Sequence, residues 1–122
     1  MTPAAATLKR ESAKARREAL ECSLAFQLKA AGLARGMVRQ HKPFEDVGYA
    51  YDFAWPDRTP VVLVEVQGGI YTGGAHTRSR GVLRDMDKVN RAALRGWLVL
   101  QVSAEDIKRG KALQLIQEVL KP

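Results

Sequence analysis

Cysteine is almost missing from this 122-residue chain. Cys22 alone permits neither an intramolecular disulfide nor a cysteine-based metal site, and on a helical segment it reads as a small core residue. Histidine is scarce too. His41 has no acidic or cysteine neighbour in the pattern, and no Ser-His-Asp or Cys-His arrangement suggests itself. No apolar run approaches the ~18 residues of a membrane span, and the N-terminus has no apolar stretch followed by a cleavage site, so a cytoplasmic protein is expected. GGIYTGGA lacks the Lys-Ser/Thr ending of a nucleotide-binding P-loop. There is no internal repeat and no low-complexity segment. Acidic residues are in deficit: 13 Asp and Glu against 20 Lys and Arg leave a net charge of +7. That excess points to a polyanionic partner, with nucleic acid foremost.

What is present reads as one domain, 9–122, behind a flexible tail, 1–8. Helical periodicity runs from Lys9 to Ala31, with Ala13, Leu20, Leu24, Leu28 and Ala31 on one stripe and Glu21 at its edge. Residues 37–44 form a weak strand candidate and YAYDFAWP, 49–56, a stronger one. A short turn through Pro56 and Pro60 makes the next strand, VVLVEVQ at 61–67, an antiparallel neighbour. The glycine-rich stretch 68–81 has no periodicity and reads as a loop. A helix over 81–95 has an apolar face of Val82, Leu83, Met86, Val89, Ala93 and Leu94, which is expected to pack inward. A strand at 97–103 follows. Ser103 with Asp106 resembles a capping box, and a last helix spans 111–120. The order is helix, three strands, helix, strand, helix: an α/β fold with a short mixed sheet flanked by helices.

Two polar residues interrupt the most apolar strand. Glu65 and Gln67 share a face because side chains alternate along a strand. Asp52 stands in the neighbouring strand at about the same distance from the turn, so pairing brings Asp52 and Glu65 together. Carboxylates this close in a partly buried site repel, and a hard divalent cation relieves both the repulsion and the desolvation. All-oxygen ligands favour Mg²⁺, or Mn²⁺ in its place, over zinc. Glu21 can complete the cluster if its helix packs there. On the following helix Arg80, Arg84, Lys88, Arg91 and Arg95 fall within about a quarter of the circumference, a spacing that suits a phosphate backbone or a plain solvated face. His76 and Arg78, in the glycine-rich loop, can contact phosphate or simply lie exposed.

Together YDFAWP, VEVQGG, GGAHTR and RDMDKVNRAALRGWLVLQVS resemble the small PD-(D/E)XK endonucleases of phages and bacteria, closest to the branch related to VRR-NUC domains and Holliday junction resolvases. The resemblance covers residues 18 to 120. It implies a restriction-endonuclease-like αβββαβα core and a metal held by Asp52, Glu65, the Val66 carbonyl and Glu21. Gln67 falls where the motif has lysine, and glutamine supplies neither positive charge nor a proton at neutral pH. Lys88 can supply the missing ammonium group or bind phosphate. The implied function is a Mg²⁺-dependent DNA endonuclease, structure-selective or nonspecific, with Asp52, Glu65, Gln67 and Lys88 catalytic and a homodimer possible. The rival readings are a nucleic-acid-binding module with a degenerate site, and an assembly factor whose basic surface meets an acidic protein.

Overall fold

The computed structural model describes residues 2–67 and 80–122. Its elements are α1 (Pro3–Ala30), β1 (Val38–His41), β2 (Tyr51–Trp55), β3 (Val62–Gln67), α2 (Arg80–Leu94), β4 (Leu98–Ser103), α3 (Ala104–Lys108) and α4 (Lys111–Leu120). The architecture is mixed α/β, with helices and a four-stranded mixed sheet of order β1-β2-β3-β4. No described helix is long and apolar enough to cross a membrane.

The chain packs as two compact units. The first holds the chain up to Arg35, Val66 and Gln67, and Val102–Pro122; the second holds Gly36–Glu65 and the described chain over 80–101. In the first unit α1 lies against α3 and α4, and Leu24, Leu28, Ile107, Ala112 and Ile116 are fully buried. Gln27 Nε2 donates to Ile107 O at 3.1 Å. Helix α1 starts at Pro3, well before Lys9. Proline suits the first helical position, where no N–H is needed, and the Thr2 side chain accepts from Ala5 N. At the start of α3, Ser103 and Asp106 cap each other's backbone N–H groups, so the capping box read from sequence opens a short helix of its own.

The second unit is built on β1, β2 and β3. Both pairings are antiparallel, with Arg39 opposite Phe53 and His41 opposite Tyr51 on one side, and Phe53 opposite Val64 on the other. Its core gathers Phe44, Tyr51, Ala54, Leu63 and Ala92, with Val47, Tyr49, Val61, Trp97 and Val99 packed around them. Leu98 N donates to Val61 O at 2.9 Å, where β4 begins beside β3.

Helix α2 departs from the expected orientation. Lys88 and Ala92 are buried, whereas Leu83, Met86 and Leu94 are exposed, Leu94 by 88%. Val82 and Val89 are half-buried, and the rest of the apolar stripe faces solvent because the inward side solves two packing problems at once. Ala92 is small enough for close approach to the sheet, and Lys88 finds acceptors there, which a buried ammonium requires.

Candidate functional site

The register of the second unit builds the site. Continuing the β2–β3 pairing one residue past Phe53 and Val64 sets Asp52 opposite Glu65. Between Arg39, opposite Phe53, and His41, opposite Tyr51, the same register sets Gln40 opposite Asp52. Three strands thus contribute one cross-strand row: Gln40, Asp52, Glu65. Glu65 Oε1 accepts from Asp52 N at 3.2 Å, and Asp52 Oδ1 accepts from Gln40 Nε2 at 3.2 Å. Asp52 and Glu65 are both buried.

Lys88 meets this row from α2. Its Nζ lies 2.9 Å from Glu65 Oε2, donates to Ala50 O at 2.7 Å, and sits 4.8 Å from the centre of the Tyr51 ring. The Tyr51 hydroxyl donates to Lys88 O at 2.7 Å, so one tyrosine holds both the backbone and the ammonium end of this lysine. Burial raises the Glu65 carboxyl above its ordinary value and the Asp52 charge pushes it further, while Lys88 pulls it back. Burial also pushes the Tyr51 phenol up to about 12, with the Glu65 charge adding to the effect.

The remaining candidates are distributed differently. Val66 and Gln67 end β3 and count with the first unit; Val66 is buried and Gln67 half-buried. Glu21 is buried on α1 in that same unit, with Arg17 Nε at 3.9 Å. Arg80 opens α2, and Arg84 and Arg95 are exposed. Arg91 is bound to two acids, with Nη2 3.0 Å from Asp46 Oδ2 and Nε 3.2 Å from Asp87 Oδ2. The basic residues of α2 therefore do not form one uniform solvated row: Lys88 turns inward and Arg91 is neutralised. Arg91 also lies over Phe44 and Tyr49, and Arg95 over Phe44 and Trp97. Asp46 is held below the usual carboxylate range by Arg91. His76 and Arg78 lie outside the described residues.

Sequence reasoning missed Gln40, Ala50 and Tyr51. Tyr51 reads as a core aromatic, and a backbone carbonyl leaves no sequence signal. Gln40 becomes visible only once β1 is paired in register with β2.

Among the described residues, no cluster of three or more His, Cys, Asp or Glu side chains is found that would by itself hold a metal ion. The donors at the Asp52–Glu65 row nevertheless fit a hard cation. Mg²⁺ is commonly held by one or two carboxylates, with water and substrate phosphate completing the shell. Burial and then the Asp52 charge lift Glu65, and both are costs that such an ion offsets. Comparison with family models, with curated proteins and with solved structures finds no match. The nuclease resemblance therefore rests on the chain's own residues.

Proposed function

We propose that the chain is a metal-dependent DNA endonuclease with a restriction-endonuclease-like core, acting on branched DNA or without sequence preference. One observation carries this reading: a buried Asp52–Glu65 pair with the Lys88 ammonium 2.9 Å from Glu65. In the nuclease motif the lysine follows the glutamate two residues later on the same strand; here that position is Gln67. Lys88 brings an ammonium group to the same carboxylate from α2. A cation placed where phosphoryl charge develops is a principal source of rate in phosphodiester hydrolysis.

Asp52 and Glu65 would hold Mg²⁺ or Mn²⁺, which when bound activates water and stabilises charge on the phosphoryl group. Lys88 donates to Glu65 and Ala50, and an ammonium group has a third N–H, which would serve a phosphoryl oxygen brought to the site. Tyr51 holds Lys88 in place through its hydroxyl and ring. Arg84, exposed on α2, and Arg95, exposed just after it, would contact the backbone through charge.

The test is cleavage of linear, flapped and four-way-junction DNA with Mg²⁺, Mn²⁺ or EDTA. Metal-dependent cutting is expected, abolished by Glu65→Ala while DNA binding survives. Binding without cutting in either metal would leave a non-catalytic nucleic-acid module. Absence of DNA binding at low salt would favour an assembly factor with an acidic protein partner.

A further inference from the structure

We infer that Gln40 is a positioning residue for Asp52, an inference that rests on the nuclease reading above. Gln40 has φ +51°, the only non-glycine residue with positive φ among the described residues. For a long side chain that backbone state is unfavourable. The distortion is local: Arg39 and His41, on either side, keep their places opposite Phe53 and Tyr51, so the strand carries no inserted residue. The one residue that departs from strand geometry is the one opposite Asp52, and its amide reaches Asp52 Oδ1.

Glutamine suits this task chemically. Its N–H fixes one carboxylate oxygen and so sets the direction of the other. Being neutral, it does so without competing with a cation for the Asp52 charge, as an arginine or lysine would. Outer groups that orient a ligand in this way typically govern metal affinity by about 10–100-fold. An edge strand can also be kinked merely to block pairing with another chain, and β1 is an edge strand. That role would need the kink but not the amide.

Two substitutions in the full chain separate these roles. Gln40→Gly relieves the backbone and removes the amide; Gln40→Met keeps the length and removes only the amide. Mn²⁺ affinity is measured by calorimetry, Tm is measured without metal, and cleavage is followed in parallel. Both variants are expected to lose about 10–100-fold in Mn²⁺ affinity, with the Tm of Gln40→Gly unchanged or raised. Wild-type affinity in either variant overturns the inference and leaves the kink as an edge device. A fall in Tm of both variants alongside the affinity also overturns it, because a loosened strand then explains both effects. If the wild-type protein neither binds Mn²⁺ nor cuts DNA, the nuclease reading fails and takes this inference with it. Binding and cutting by the wild type with unaltered variants sinks the inference alone.

Discussion

Lys88 Nζ and Glu65 Oε2 are 2.9 Å apart, and both side chains are buried. Removing one partner of such a pair leaves a charge without compensation, a change that typically costs about 3–5 kcal/mol. In Lys88→Met the carboxylate can escape by taking up a proton, so the cost depends on pH. Glu65 already sits above its ordinary 4.5 through burial and the Asp52 charge, and losing Lys88 lifts it further. A carboxyl raised in the folded state contributes stability that is intact below about 4.5 and is lost as pH rises through the folded value. Urea unfolding of Lys88→Met should therefore show a small deficit against wild type near pH 4.5 and a large one at pH 7.5. A deficit independent of pH would contradict the ion pair.

Tyr51→Phe keeps the ring beneath the Lys88 ammonium and removes the hydroxyl that donates to Lys88 O. The expected loss is about 1 kcal/mol, that of one neutral hydrogen bond. The same variant has an optical signature. With its phenol raised to about 12, Tyr51 should ionise late in an alkaline titration followed by tyrosinate absorbance. A raised phenol gives stability that is whole below pH 10 and is lost between 10 and about 12. The component titrating near 12 should vanish in Tyr51→Phe, while Tyr49, raised by its hydrogen bond to Asp87, still titrates above its ordinary value.

The orientation of α2 is testable with two substitutions two residues apart. Ala92 is fully buried against the sheet, so Ala92→Leu should overpack the site and cost about 1–3 kcal/mol. Leu94 is almost wholly exposed, so Leu94→Lys should change stability by less than about 0.5 kcal/mol. Chemical denaturation of both proteins checks the pair. The reverse ranking would restore the inward apolar stripe.

At the start of α3, Asp106 accepts from Ser103 N at 3.0 Å, and that hydrogen bond holds its carboxyl below the ordinary 3.8. A depressed carboxyl contributes above its unfolded value and loses its contribution as pH falls through the folded one. Asp106→Ala should cost about 0.5–1 kcal/mol at pH 7. The deficit in thermal stability should shrink below pH 3.8.

Much of the site follows from local rules. The apolar run 61–67 bounded by Pro60 and glycine specifies a strand, and the short turn before it specifies an antiparallel neighbour. With strand and turn given, Asp52 and Glu65 fall opposite each other by counting residues. The capping box at Ser103 is likewise a rule over four residues. The N-terminal segment was less legible: alanine-rich polarity with no amphipathic stripe reads as a tail, whereas Thr2 and Pro3 start the helix by satisfying its first turn.

The face of α2 was not legible, and hydropathy pointed the wrong way. Leu83, Met86 and Leu94 lie on the exposed side, and Lys88 is carried inward. A lysine on an amphipathic helix looks solvent-facing until an acceptor is available, and its acceptors lie at Ala50 and Glu65, 38 and 23 positions away in the chain.

By itself the sequence determined the order of the longer elements, though not the short helix α3, together with the antiparallel hairpin and the meeting of Asp52 with Glu65, because each depends on neighbours within a few residues or on one short turn. The tertiary structure decided that Lys88 supplies the ammonium at Glu65, that Tyr51 holds it there, and that Gln40 reaches Asp52. Those pairings depend on how a helix docks on a sheet and on the register of an edge strand. Both are set by long-range packing, which no local pattern of residue types encodes.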